Sequence, residues 1–138
     1  MTFTFFVPGR PKAKARARSK VGKSGKPFVY PDGKTKMYED YVGLLCKQAM
    51  RGKRPLKGPI RLEVIFCFAV PKSWTKAKKA MVPMPYMGRP DLDNLIKAIK
   101  DGVNKIAWMD DSQVVTYGET GKRYSNNAEG AYVSFWEI

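Results

Sequence analysis

The chain has 138 residues, of which 43% are hydrophobic, so it is long enough to bury one core and leaves little room for a second. Lys and Arg number 26 against 12 Asp and Glu, which gives a formal net charge of +14. A surplus of this size exceeds what solubility requires and indicates a polyanionic partner, either nucleic acid or an anionic membrane.

The residue types that are missing or rare narrow the class further. Histidine is absent, which removes the commonest general base and metal ligand, so any metal site is expected to use carboxylate oxygens and to favour Mg²⁺ or Mn²⁺. The longest apolar run, near residues 64–70, is far shorter than the roughly 20 residues of a membrane-spanning helix. Cys46 and Cys67 form no CxxC pair and follow no recognisable secretory leader, which predicts buried thiols in a reducing compartment. Nucleic acid is therefore the expected partner.

The first third of the chain predicts a strand, a basic loop and a helix. Residues 2–7, TFTFFV, are β-prone and end at a Pro-Gly pair. Residues 10–26, RPKAKARARSKVGKSGK, are basic at nearly every second position and almost free of large apolar side chains, which predicts a loop that is mobile in the free protein. After a Pro-Asp-Gly turn, apolar residues at helical spacing predict a helix over residues 36–50.

The remaining elements complete the fold prediction. Residues 60–70, IRLEVIFCFAV, form the strongest strand pattern, and residues 73–81 predict a short helix capped by their first serine. The following PMPYMGRP predicts a loop. Beyond the acidic segment, residues 113–119 and 131–137 predict two strands joined by a polar turn. The order β-α-β-α-α-β-β indicates one α+β or mixed α/β domain that spans the chain.

Negative charge is concentrated in the last third of this basic chain. Residues 1–90 carry 21 basic and four acidic side chains, whereas residues 91–138 carry five basic and eight acidic ones. Five carboxylates lie within GRPDLDNLIKAIKDGVNKIAWMDD, residues 88–111. The acidic residues are thus segregated rather than distributed as solubilising pairs.

This acidic segment predicts a helix with one apolar face. Its apolar residues recur at spacings that keep them in one stripe: Leu92, Leu95, Ile96, Ile99, Val103 and Ile106. The Pro-Asp pair before it supplies a break and a cap, so Asp91 and Asp93 are expected together at the helix start. WMDDSQVV leads directly into the strand predicted over residues 113–119. If that strand pairs beside the start of the helix, Asp110 or Asp111 lies close to Asp91 and Asp93.

These residues have a structural interpretation and a catalytic one. Asp is a favoured N-cap, a negative charge in a first helical turn is stabilised by about 0.3–1 kcal/mol, and an Asp-Asp pair before a strand is typical of a solvated turn. Converging carboxylates without a neutralising partner, however, repel one another unless a hard cation lies between them. Lys97 likewise has a structural interpretation, an i,i+4 ion pair with Asp93 or Asp101. The residues alone leave both interpretations open.

The segments RPDLDNLIKAIKDGVN and WMDDSQVV resemble the RusA family of Holliday-junction resolvases. The hallmark of that family is a DLDN helix with a downstream lysine, then an aromatic residue, an Asp-Asp pair and a valine-rich strand. VPGRPKAKARAR and YPDGKTKMYED are similar to the family's opening. The resemblance implies a small mixed α/β domain that forms a homodimer, cuts four-way DNA junctions in recombination and repair, and acts in the cytoplasm of a bacterium or as a phage or prophage product.

The resemblance also implies roles for individual residues. Asp91, Asp93 and Asp111 match the family's metal-binding catalytic carboxylates, with Mg²⁺ as the expected cofactor and Mn²⁺ as a substitute. Lys97 matches the active-site lysine, which would neutralise developing charge or orient the attacking water. Asp110 is the less certain member of its pair.

DNA contact is assigned to basic residues before the DLDN motif. Some members carry a run of arginines immediately before that motif, whereas here only Arg89 precedes PDLDN, and the basic tract of residues 10–26 compensates in this prediction. The predicted phosphate contacts are Lys12, Lys14, Arg16, Arg18, Lys20 and Arg89. Two alternatives stay open: a metal nuclease for other branched DNA or RNA, and a non-catalytic nucleic-acid-binding protein whose aspartates are caps and turns.

Overall fold

The computed structural model describes residues 1–14, 18–21, 27–30 and 33–138, with only the backbone described for 18–21 and 27–30. The helices are α1 (Gly33–Met50), α2 (Lys76–Lys79) and α3 (Leu92–Val103), and a 3-10 turn covers Asp111–Gln113. The strands are β1 (Thr2–Pro8), β2 (Arg18–Val21), β3 (Pro27–Tyr30), β4 (Ile60–Ala69), β5 (Met84–Pro85), β6 (Val114–Tyr117), β7 (Gly121–Ser125) and β8 (Gly130–Glu137).

Six strands form one mixed sheet around β4, and the other two form a separate hairpin. The sheet order is β1-β8-β4-β7-β5, with β6 also paired to β4. β8 is antiparallel to β1 and β4, whereas β6 and β7 run parallel to β4. β2 and β3 pair antiparallel with each other. This architecture confirms the predicted α+β class. In the described ranges, no helix is long and apolar enough to cross a membrane.

The core lies between the sheet and the helices, and β4 provides its centre. A strand presents alternate residues to one face, and alternate residues of β4 are fully buried: Ile60, Leu62, Val64, Phe66 and Phe68. The apolar stripe of α3 packs into the same cluster, with Leu95 and Ile99 fully buried. The stripe predicted from the sequence therefore attaches α3 to the sheet and leaves its polar side exposed.

Two glycines allow α1 and α3 to approach closely. A Cβ atom on Gly43 would lie 2.7 Å from the carbonyl oxygen of Gly102, and one on Gly102 would lie 2.9 Å from the carbonyl oxygen of Glu39. Real Cβ atoms essentially never come so close to another heavy atom, so both positions require glycine. The close packing places the last turn of α3 against α1.

Several predicted elements have different limits in the structure. The helix predicted over residues 73–81 is only the four-residue α2, and its cap is Thr75, whose Oγ1 accepts a hydrogen bond from the backbone N–H of Lys78 at 3.2 Å. α3 ends at Val103, because Asn104 leaves the helical region with a ψ of 135°. The apolar stripe therefore extends three residues beyond the end of the helix, to Ile106.

Three strands lie where the sequence predicted loops or turns. The polar turn between the last two predicted strands contains β7, all of whose residues are half-buried, so it lacks the alternation that marks a strand. β5 lies within PMPYMGRP. β2 lies inside the tract predicted as a loop, while residues 15–17 and 22–26 of that tract, and residues 31–32 of the predicted turn, are outside the described residues. The tract's mobility stays a prediction.

Candidate active site

The start of α3 presents two carboxylates that do not cap the helix. Asp91 occupies the N-cap position with extended backbone angles, φ −65° and ψ 145°, yet its side chain makes no capping hydrogen bond. Asp93 lies in the first turn and is exposed. The side-chain bond of an N-cap, one of the two grounds for the structural interpretation, is therefore missing at Asp91, whereas its place at the helix start still allows stabilisation by the helix dipole.

The two carboxylates of the Asp-Asp pair before β6 have different partners, and that of Asp110 belongs to the turn itself. Asp110 Oδ2 accepts hydrogen bonds from the backbone N–H and the hydroxyl of Ser112, and Gln113 Oε1 accepts one from the backbone N–H of Asp110 at 2.9 Å. This is a capping box. The hydrogen bonds from Ser112 hold the pKa of Asp110 below its usual value. The turn interpretation therefore describes Asp110.

Asp111 is oriented by the hydrophobic core. The indole N–H of Trp108 donates a hydrogen bond to Asp111 Oδ1 at 2.9 Å. Trp108 is fully buried and packs edge-to-face on Phe135, with 5.7 Å between the ring centroids. The carboxylate of Asp111 is thus held by a side chain that the core itself fixes.

One cavity brings together three of the four predicted catalytic residues, Asp93, Lys97 and Asp111. It has a volume of about 380 Å³, and its lining consists of Asp93, Ile96, Lys97, Lys100, Asp101, Asp111 and Tyr117. The strand after the Asp-Asp pair, β6, contributes Tyr117 and pairs with β4. Asp91 is not part of the lining, and the described residues contain no group of three or more carboxylates or thiols arranged to hold a metal ion. The three-ligand set stays a prediction.

Lys97 faces this cavity without a salt bridge. It is exposed, and within the described residues it pairs with neither Asp93 nor Asp101. The ion pair that formed its structural interpretation is therefore not made. Lys100, one turn later, lies near the Tyr117 hydroxyl, with 3.5 Å between Nζ and the phenol oxygen. The cavity thus combines carboxylates with two ammonium groups, a mixture suited to a cation and a phosphate together.

Lys14, predicted as a phosphate contact, forms salt bridges with two carboxylates. Its Nζ donates to both oxygens of Glu39, at 2.8 and 3.0 Å, and lies 3.1 Å from Asp101 Oδ2. Burial lowers the pKa of Lys14, but the hydrogen bonds to Glu39 and Asp101 and the charges of both outweigh it and raise the pKa above its usual value of 10.5. Its backbone N–H also donates to the carbonyl of Asn94 in α3, at 3.1 Å. Lys14 therefore attaches the basic tract to the two helices.

The other predicted DNA contacts differ in what the structure shows of them. Lys12 and Arg89 are exposed. Arg16 lies outside the described residues, and for Arg18 and Lys20 only the backbone is described. Their contact with DNA stays a prediction.

The sequence analysis did not assign several residues that the structure brings to the site. They are Trp108, Lys100, Asp101 and Tyr117, together with Lys122, which binds the loop before Asp91. Lys100 and Asp101 carried a signal, because they follow Lys97 at spacings that share a helix face. Trp108 was noticed only as an aromatic residue, and its hydrogen bond to Asp111 had no local signal beyond proximity in the chain.

Comparison with known proteins gives a family match and a similar bacterial protein. Residues 8–134 match the family described as Endodeoxyribonuclease RusA. The chain is also 33% identical over 116 residues to a Bacillus subtilis (strain 168) protein with the name Uncharacterized protein YqaN, and the match covers 80% of each chain.

Proposed function

Since the chain belongs to the RusA endodeoxyribonuclease family, we propose that it is a Mg²⁺-dependent nuclease that resolves four-way DNA junctions in recombination and repair. The observation that carries the proposal is the cavity that joins Asp93 of the DLDN motif to Asp111 of the Asp-Asp motif, with Lys97 beside them. A family match alone would not assign chemistry to residues. The convergence of two separate motifs at one cavity supports that assignment.

The donor set fits a hard divalent cation. Asp93 and Asp111 have no salt bridge to any described residue, and carboxylate oxygens are the ligands that Mg²⁺ prefers. We assign Asp93, Asp111 and Asp91, the first residue of the DLDN motif, as the residues that would hold the ion. Bound Mg²⁺ would supply an activated water and polarise the phosphoryl oxygen.

The chain's own side chains account for the remaining requirements of the reaction. Lys97 and Lys100 bring positive charge to the cavity wall, where the phosphate would accumulate negative charge during hydrolysis. Trp108 holds the Asp111 carboxylate in one orientation and so reduces the reorganisation that binding requires. The large positive charge of the rest of the chain would hold the DNA backbone.

We also propose that the active form is a homodimer. Resolution of a four-way junction requires nicks in two symmetrically placed strands, and a two-fold dimer presents two copies of one site. Each chain has one such cavity in its described part. Exposed Met81 and Met87, at 67% and 95%, belong to a segment that offers apolar surface for such contact. Light scattering of the free protein at micromolar concentration tests the assembly.

Cleavage of an end-labelled four-way junction and of a linear duplex, each with and without Mg²⁺, tests the function. The proposal expects junction binding without metal, and paired symmetric nicks with metal. Asp91→Asn, Asp93→Asn and Asp111→Asn are expected to abolish cleavage while binding persists, because each change removes a metal ligand and also a charge that repels phosphate. Asp110→Asn is the matched control, because Asn caps a helix about as well as Asp, and it should retain cleavage.

The two alternatives give different results in the same assay. A non-catalytic binding protein would bind the junction and nick nothing with any divalent cation. A broader metal nuclease would cut linear duplex or RNA as readily as the junction.

A further inference from the structure

The backbone that leads into Asp91 is held by a lysine from another part of the chain. Lys122 Nζ donates hydrogen bonds to the carbonyl oxygen of Gly88, at 2.7 Å, and to that of Pro90, at 2.8 Å. Pro90 is the residue immediately before Asp91. The two hydrogen bonds therefore clamp the last part of the loop from which the Asp91 side chain projects.

The carbonyl of Arg89, which lies between those of Gly88 and Pro90, also accepts a side-chain hydrogen bond. The hydroxyl of Tyr86 donates to the carbonyl oxygen of Arg89 at 3.0 Å, so three successive carbonyls of the loop accept side-chain hydrogen bonds. Tyr86 is fixed in turn by its ring, which stacks on Phe68 with 4.0 Å between centroids. Its backbone N–H also donates to the carbonyl of Lys122 at 3.1 Å. The loop is thus anchored to the sheet by two neighbouring side chains.

The place of Lys122 in the sheet fixes the position of its side chain relative to the loop. It lies in β7, paired with Phe66 at the centre of the sheet, and it is half-buried. Among the described residues no carboxylate forms a salt bridge with it. Its ammonium group is therefore directed at the loop carbonyls, with the face of the Tyr86 ring 5.6 Å away.

We propose that Lys122 is a positioning residue for Asp91. The Asp91 side chain has no capping hydrogen bond of its own, so the place of its carboxylate depends on the place of its backbone. Lys122 fixes that backbone without touching the carboxylate. The inference rests on the proposed function, in which Asp91 is a metal ligand, and it adds a lysine that acts on the metal site rather than on DNA.

The test compares Lys122→Met with Lys122→Arg, which keeps a cationic donor, and with Lys53→Met, which removes the same charge from an exposed turn. Lys122→Met is expected to raise the Mg²⁺ concentration for half-maximal junction cleavage about tenfold or more, the size typical of a lost outer-shell partner. Lys122→Arg should restore most of the loss, and Lys53→Met should match the parent chain. Junction affinity without metal should be equal for the two methionine variants.

Hydrogen exchange of the metal-free protein gives a readout that is independent of cleavage. The amides of Tyr86 and Leu95, which donate to the carbonyls of Lys122 and Asp91, are expected to exchange faster in Lys122→Met than in the parent chain, even if the parent cuts no DNA. Tyr86→Phe removes one loop donor without a change of charge, and a smaller increase in the same exchange rates is expected. It also serves as the second variant if Lys122→Met does not fold.

Two results would overturn the inference while leaving the nuclease assignment intact. One is an unchanged Mg²⁺ requirement in an active Lys122→Met variant. The other is a loss of metal-free junction affinity with a shallower salt dependence, which would make Lys122 a phosphate contact. Failure of the parent chain to cleave would instead refute the proposed function, and unchanged exchange of the Tyr86 and Leu95 amides would then refute the positioning role as well.

Discussion

Replacement of Lys14 with Met is expected to destabilise the fold much more than removal of an ordinary surface lysine. Lys14 bridges α1 and α3 through Glu39 and Asp101. Glu39 is only 9% exposed, so a neutral side chain at position 14 would leave a nearly buried carboxylate next to a second one. The unfavourable state is this unpaired charge rather than the loss of the lysine itself.

The expected magnitude follows from the burial of the three groups. Breaking a fully buried ion pair costs about 3–5 kcal/mol. The side chains of Lys14 and Asp101 are 26% and 27% exposed, and solvent screens part of that interaction. We therefore expect Lys14→Met to lower the free energy of unfolding by about 2–3 kcal/mol. Addition of Glu39→Gln removes the carboxylate that Lys14→Met leaves unpaired. The loss of stability in the double variant should therefore be smaller than the sum of the losses in the two single variants, by about 1–2 kcal/mol.

Urea unfolding of both single variants, the double variant and Lys12→Met measures this coupling. Lys12 is an exposed lysine two residues earlier in the same tract, and its replacement should change stability by less than about 0.5 kcal/mol. Because the pKa of Lys14 is raised above 10.5, the stabilisation is present throughout neutral pH and is lost only as pH rises through the folded-state value. If Lys14→Met matched Lys12→Met, or showed no coupling to Glu39→Gln, the bridging role would be refuted.

Three further predictions concern the core beneath the site. Trp108→Phe removes the donor to Asp111 and should weaken Mg²⁺-dependent cleavage about tenfold or more with metal-free junction binding intact; an unchanged Mg²⁺ requirement would contradict this. Gly43→Ala places a Cβ 2.7 Å from the α3 backbone and should cost about 1–3 kcal/mol in urea unfolding, whereas Gly33→Ala, with open space around it, is the control that should not. Burial raises the pKa of Cys46 to about 12, so Ellman's reagent at pH 8 should label this thiol only after unfolding, and rapid labelling of the native protein would contradict its burial.

Elements with a strong local pattern were predictable from the sequence. Alternate burial in β4 and the stripe on α3 follow from the periods of a strand and a helix. The end of α3 was not predictable in this way, because apolar spacing reports burial and not backbone hydrogen bonding. Ile106 continues the stripe and packs against the core from a turn, next to Lys105 with its positive φ of 70°.

Features that depend on pairing between distant segments were not predictable from one sequence. β7 is polar and half-buried throughout, and it is a strand because β4 and β5 pair with it. Lys14 was predicted to contact phosphate because the tract around it is basic, and no local pattern indicated that its ammonium group also meets carboxylates of two helices, Glu39 and Asp101. A local pattern can state that a charge exists, but only the tertiary structure determines which charge it meets.

The five carboxylates of residues 88–111 divide into two that have a structural partner and three that form no salt bridge with a described residue. Asp110 caps the turn before β6, and Asp101 is neutralised by Lys14. Asp91, Asp93 and Asp111 are the remaining three, and among the described residues none of them has a salt bridge. Unpaired carboxylates in a chain with 26 Lys and Arg do not result from a shortage of cations. They are the carboxylates that the family resemblance selects, and their availability to an external cation supports the proposed metal site more strongly than their spacing does.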